Sequence, residues 1–432
     1  MRIIRFCFLL FLFSFVGLLS AQAEDWPQWR GPTSDGVWHE QGILTKFDSP
    51  EIPLKWKVPV GSGYSAPTVA SGRVYLTDRV LEPVPSERVL CFDEQTGETI
   101  WEFSYECNYE IGYTAGPRAA VTVRDGKAYA LGAMGNFLCF DAKAGNILWQ
   151  HDLNAEYDIQ MPIWGIAGSP LVVEETVIVQ LGGKQATVAG FDIETGKARW
   201  TALKDRACYA SPILIKQADK QVVVVWTGDS VAGLAPQTGE VYWRHIWPPS
   251  RMPIGVATPV TSGNQLFLTS FYDGCLLLDL AQDKPGVKKV WQRTGEDERH
   301  TDGIHSIIST PIVLDKHVYG VDSYGELRCL DLKTGDRVWE DQTATPRARW
   351  STIHFVKNGE NIWMFNERGE LVIGRLSPKG LTEISRAKLI DPTEDQLRQR
   401  GGVCWSHPAY ANKHVFARSD KYLVCASLAA KK

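Results

Sequence analysis

The stretch "CFDEQTGETIW", residues 91–101, sets an Asp, a Thr-Gly pair and a Trp at fixed spacing. Nearly the same string returns as CFDAKAGNILW ending at Trp149, GFDIETGKARW at Trp200, GLAPQTGEVYW at Trp243 and CLDLKTGDRVW at Trp339. A worn copy, AQDKPGVKKVW, ends at Trp291. Successive tryptophans stand 48, 51, 43, 48 and 48 positions apart. Self-similarity at such a period predicts a propeller or a solenoid. Each unit divides into four short β-rich runs; the third reads SPLVVEE, TVIVQLG, TVAGFD and KARWTAL within residues 169–203. Runs of this kind, bounded by Gly, Pro, Asp and Asn, predict an antiparallel meander. The repeated string is then the turn between the last two strands. Its Asp and Thr side chains bond the turn's own N–H groups, and Gly takes the left-handed position at no steric cost. The Trp falls on the outermost strand, where a flat indole covers the neighbouring sheet. One four-stranded sheet cannot bury both of its faces, so the units must stack about an axis.

The number of units follows from the lead-ins to the inner strands. A small or polar residue precedes Pro in SAP (65–67), AGP (115–117), GSP (168–170), ASP (210–212), ATP (257–259), STP (309–311) and SHP (406–408), and RWSTIHFV (349–356) fills the remaining gap. That makes eight, with seven plus an appendage as the alternative. The last unit has three strands before the chain ends, and PLKWKVPV (53–60), with Trp56, supplies the fourth. The expectation is an all-β, eight-bladed propeller of four-stranded antiparallel blades, closed by N- and C-terminal strands so that no edge is left free. Trp56, Trp101, Trp149, Trp200, Trp243, Trp291 and Trp339 are its docking residues. Blade seven departs, with Ile384 near the expected Trp position.

Three segments are expected. Residues 1–23 form a signal peptide: Arg2 and Arg5, an apolar run from Phe6 to Leu19, and an A-x-A site at Ala21-Gln22-Ala23 with the cut after Ala23. The apolar run falls short of the roughly 20 residues needed to span a bilayer. Residues 24–53 form an extended leader containing DWPQWRGP, and residues 54–432 form the propeller domain. The protein is expected to be exported, periplasmic or extracellular, and monomeric. The chain carries 46 basic and 50 acidic residues; loss of Arg2 and Arg5 leaves 44 against 50, a net charge of −6 without a basic run. Nucleic acid is therefore a poor partner. Nine cysteines become eight without Cys7. Cys91, Cys139, Cys329 and Cys425 recur at one place in the repeat, too far apart across blades to bond, and read as small buried hydrophobes. The pairing of Cys107, Cys208, Cys275 and Cys404 is left open.

The repeated strings resemble the tryptophan-docking motif A-x-D-x-x-T-G-x-x-x-W of the pyrroloquinoline-quinone (PQQ) repeat family, over most of residues 54–428. The resemblance implies eight blades, as in the family's dehydrogenases and in its non-enzymatic outer-membrane assembly member BamB. DWPQWRGPTSDGV (25–37) is similar to leaders of exported planctomycete-type members. In this family the repeated tryptophans dock blades, whereas a quinone lies on the axis. The repeat therefore does not itself imply the cofactor.

Strand alternation puts all Thr-Gly turns on one face of the disc and the inner-strand lead-ins on the other. Those lead-ins bring Arg118, Trp164, Tyr209, Arg251, His305, Trp350, Trp405 and His407 toward one funnel. Aromatic and cationic groups converging on a concave axis make a ligand pocket, or merely plug the channel. A quinone-dependent oxidoreductase, an alcohol or sugar dehydrogenase with PQQ and Ca²⁺, would need a metal to polarise the quinone and a carboxylate base. Cys-Cys, which the family's enzymes carry over the quinone, is absent from the sequence. Carboxylates near the lead-ins are few (Glu110, Asp158, Asp205 and Asp302), and no calcium set is recognisable. Neither G-x-S-x-G nor H-E-x-x-H occurs, and His300 and His305, five apart in a loop, read as hydrogen-bonding groups rather than metal ligands. No catalytic or metal-binding residue is assigned. DWPQWRGP reads as a strap that buries Trp26 and Trp29, because exposed tryptophan pairs are costly. DPTEDQLRQRGG (391–402) reads as a helical or irregular insertion over the funnel face. The expected function is a binding or scaffold module for a protein partner or a small polar ligand, with the quinoprotein oxidoreductase as the alternative.

Overall fold

The Thr-Gly turns form as their chemistry requires. Asp93 Oδ1 accepts the N–H groups of Gln95 and Thr96 at 2.8 and 2.9 Å, and Gly97 follows at φ 76°. Asp141, Asp192 and Asp331 repeat the arrangement. The computed structural model describes residues 23–113, 116–393 and 401–431. The expected signal peptide, up to its last residue, and the middle of the 391–402 insertion lie outside the described residues; its ends meet in an antiparallel bridge between Thr393 and Val403. The strands form eight four-stranded antiparallel sheets. Seven are meanders in chain order. The eighth pairs Leu54–Pro59 with Tyr422–Ser427, and Trp56 faces Cys425. Both ends of the propeller thus share one blade, which closes the ring. One element is new relative to the sequence reading, a single-turn helix at Leu153–Tyr157, whose Ala155 N–H donates to Asp152 Oδ1 at 3.0 Å.

The rim tryptophans are the joints between blades. Each indole N–H donates to a carbonyl in the next blade's turn: Trp56 to Glu94 (2.9 Å), Trp101 to Ala142 (3.1 Å), Trp149 to Ile193 (3.2 Å), Trp200 to Pro236 (3.0 Å) and Trp291 to Leu332 (3.0 Å). The ring face lies against the turn glycine. A Cβ on Gly97 would stand 2.8 Å from Trp56, and one on Gly239 would stand 2.4 Å from Trp200. Glycine is thus required twice in each such turn, for its positive φ and for its missing side chain. Trp243 meets the worn turn of blade five and docks differently: its N–H donates to Gln217 Oε1 at 2.9 Å, and Gln217 Nε2 donates onward to the Gly286 carbonyl at 2.6 Å.

Blade seven corrects the sequence reading. Its outer strand, Gly380–Lys388, pairs Ser385 with Ile373 and Glu383 with Gly374 across a bulge. In blade one the same bulge pairs Trp101 with Cys91 and Thr99 with Phe92. Ser385, not Ile384, therefore holds the Trp position, and Ile384 matches the exposed Ile100. The physical reason is that blade eight, made from both chain ends, has no Thr-Gly hairpin to receive an indole. The leader fills that sector instead. Phe47 donates its N–H to Ser385 Oγ at 2.9 Å, its ring packs edge-on to Trp363, and Glu51 bridges to Lys388.

The inner strands are stitched by the hydroxyls that precede the prolines. Ser169 Oγ accepts the Ala120 N–H, Ser211 Oγ accepts the Ser169 N–H, and Thr310 Oγ1 accepts the Thr258 N–H, each at 2.9–3.0 Å. This is the work of the S/T-Pro lead-ins, whose backbones lie in adjacent blades without a shared ladder. The eight cysteines of the described residues are free, buried thiols.

Candidate ligand cavity on the propeller axis

The leader sets the floor of the site. Trp26 exchanges two backbone hydrogen bonds with Val69 on the inner strand of blade one, Pro27 accepts the Val123 N–H of blade two, and Trp38 donates to the Lys357 carbonyl of blade seven. Asp25 accepts the N–H of Ser71, at the turn end of the first inner strand. The leader therefore crosses the Thr-Gly face, opposite the funnel. Trp26 is buried, whereas Trp29 is half-buried. The Trp29 indole N–H donates to Thr258 Oγ1 at 2.8 Å, which carries the ring into the channel, edge-on to His407 at 5.4 Å. The strap is thus also a plug.

Above it lies a cavity of about 120 Å³, walled by Trp29, Tyr64, Tyr113, Trp164, Tyr209, Trp350 and Trp405, with Arg118, His407, Ser169 and Ser211 among the polar lining residues. Tyr113 is the hub of the wall, with Trp350, Trp405 and Trp164 at 5.2, 5.7 and 6.0 Å. Tyr113 and Trp350 both adopt left-handed backbone conformations, φ 64° and 68°. For bulky residues these are true outliers, of a kind that clusters at ligand sites.

Six of the eight residues expected in the funnel line this cavity: Arg118, Trp164, Tyr209, Trp350, Trp405 and His407. Arg251 and His305 do not. Arg251 is exposed and stacks on Tyr272 at 4.8 Å. His305 is 1% exposed inside the wall, where its Nδ1–H donates to the Phe271 carbonyl at 3.1 Å. The sequence reading missed Trp29, Tyr64 and Tyr113. Tyr113 stands two residues before the AGP lead-in, but a loop has no period from which its direction can be read.

The electrostatics are one-sided. The Arg118 guanidinium donates to the carbonyls of Gly116 (2.9 Å) and Gly112 (3.1 Å) and lies 4.9 Å from the Tyr64 ring centroid. Burial pulls it below its ordinary value. Arg349, over Trp350 at 4.3 Å, is already neutralised by Glu298, with both contacts at 2.7 Å. The hydrogen bond from Arg349 holds the Glu298 carboxyl low. His407 and His354 lie 4.9 Å apart. Burial pushes His354 down to about 4 and His407 well below its usual range, so both rings are neutral near neutrality. His354 donates from Nε2 to the Trp405 carbonyl, and His407 from Nδ1 to the Pro408 carbonyl. That leaves His407 Nε2 as an acceptor without a partner; the indole N–H groups of Trp350 and Trp405 also have none among the described residues.

This lining does not fit a calcium-held quinone. Among the described residues none that lines the cavity is a carboxylate or a side-chain amide, and hard cations need such oxygens. Among the described residues no three His, Cys, Asp or Glu side chains gather into a metal-binding group. The volume is that of a single ring, since a cavity of about 150 Å³ holds benzene, whereas PQQ is a fused three-ring tricarboxylate.

Comparison with known proteins agrees with the architecture. The family described as outer membrane protein assembly factor BamB matches residues 85–341, more than half of the chain. The chain is similar in structure to BamB from Moraxella catarrhalis, with 17% identity, 88% of this chain and 99% of that one covered, and a TM-score of 0.59. It is also similar to the quinohemoprotein alcohol dehydrogenase of Comamonas testosteroni (12% identity, 94% and 81% covered, TM-score 0.66) and to a europium-containing methanol dehydrogenase (13%, 92% and 90%, TM-score 0.65). At these identities the likeness is one of fold. No curated protein matches in sequence. Repeat, blade count and family match together place the chain in the PQQ-like repeat β-propeller family that includes BamB.

Proposed function

We propose that the protein is a non-catalytic ligand-binding propeller, exported to the cell envelope, whose funnel-face cavity takes a small molecule with an apolar body. One observation carries this reading: a ring-sized cavity walled by seven Trp and Tyr rings, without a carboxylate among the described residues. General acid–base chemistry needs a group that titrates near the working pH. His407 is driven far from that range by burial, and the Ser169 and Ser211 hydroxyls already accept backbone N–H groups. The apolar wall also moves the expected ligand from a small polar molecule to one with a hydrophobic body. The cavity favours such a molecule over a protein partner, because a concave aromatic pocket suits a small ligand. Export is supported by the residue pattern of 1–23 and by the family's description as an outer-membrane assembly factor. The quinoprotein alternative has only the shared fold in its favour.

The test is a thermal-shift panel of small ring compounds, run beside a dye-reduction assay with PQQ, Ca²⁺ and alcohols. A ligand that binds the native state stabilises it by RT ln(1 + [L]/Kd) and so raises the melting temperature. We expect upshifts from ring compounds and no dye reduction. Dye reduction that saturates with PQQ would overturn the reading.

A further inference from the structure

Arg118 is a cation in an apolar wall with carbonyl partners only. Two of its five N–H donors are used, by Gly116 and Gly112. Among the described residues it has no carboxylate partner, unlike Arg349. A guanidinium so placed gains most from a carboxylate, whose two oxygens match its fork. Beside it the cavity offers room for one ring over a Trp29 floor. An aromatic cage might otherwise suggest a quaternary ammonium ligand. Here the cage, among the described residues, holds its own positive charge and no negative one, so a cationic ligand is repelled.

Resting on the ligand-binding reading above, we propose that the axial cavity binds a single-ring aromatic carboxylate, its ring over Trp29 and its carboxylate on Arg118. The N-terminal leader is then part of the binding site as well as a strap.

The experiment is isothermal titration of the purified protein with three ring compounds of similar size: benzoate, benzyl alcohol and benzyltrimethylammonium. Benzoate should bind one per chain, at least about tenfold tighter than the other two, the ratio expected of one charge-assisted hydrogen-bonded contact. Arg118→Gln should erase that preference and leave benzyl alcohol within about twofold, while Arg118→Lys keeps part of it; circular dichroism checks that both variants fold. Equal affinity for all three compounds, or a preference that survives Arg118→Gln, would overturn the carboxylate assignment and leave the cavity reading standing. Binding by none of the three would overturn both.

Discussion

Two sets of tryptophans lie at opposite radii of the disc. The rim set is periodic, sits on outer strands and spends its indole N–H groups on carbonyls or, for Trp243, on the Gln217 amide. The axial set comes from loops without a repeat, and the indole N–H groups of Trp350 and Trp405 have no partner among the described residues. Trp200 is 8% exposed and pressed on a glycine, whereas Trp164 faces the cavity half-buried. The same side chain is thus a joint at one radius and a wall at the other. What differs is what the ring meets, a turn glycine of the next blade at the rim and the cavity at the axis.

The largest expected effect comes from breaking a rim joint through its glycine. Gly239→Val adds branched bulk at φ 70°, where the first added carbon lies 2.4 Å from Trp200. Strain and overpacking together should cost about 4 kcal/mol in urea unfolding. A loss under about 1 kcal/mol would show that the joint yields.

Acid should act next, at the axis. His354 titrates near 6.5 when unfolded and at about 4 when folded. The unfolded chain therefore binds the extra proton first. The stability it contributes is complete above 6.5 and is lost as pH falls toward 4, by about 1.4 kcal/mol per unit within that window. Melting temperature against pH measures it, and His354→Gln should flatten the slope.

The exceptional joint is expected to be weaker. Gln217→Ala leaves the buried Trp243 N–H without its partner, while the Gly286 carbonyl keeps the Ala281 N–H, and should cost about 2 kcal/mol. If it costs nothing in urea, water replaces the amide. Smallest of all, a reducing agent should leave the melting temperature unchanged, because all eight thiols are free; a drop would reveal a disulfide.

The rim was legible in the sequence because turn chemistry and docking share one string, so that five similar copies state the blade and its neighbour together. Blade seven shows the limit. Its hairpin lacks D-x-x-T-G, so counting residues landed on Ile384, whereas the bulge puts Ser385 at the docking register. The funnel was legible in part. The lead-ins located the face, and six of eight residues converge there. His305 and Arg251 lie outside the cavity lining, since loop side chains follow neither period two nor period 3.6. Trp29 was read as a buried strap residue; only the leader's path across the opposite face brings its ring up the channel.

The most direct test of the division between rim and axis is equilibrium unfolding of Trp200→Ala and Trp164→Ala side by side. Loss of a buried docking indole should cost Trp200→Ala about 3–5 kcal/mol. Trp164→Ala, which gives up a half-buried ring and its 5.1 Å contact with Tyr209, should lose about 1 kcal/mol. Equal losses, or the reverse order, would mean that the axial rings hold the propeller together and that the cavity is only its packing.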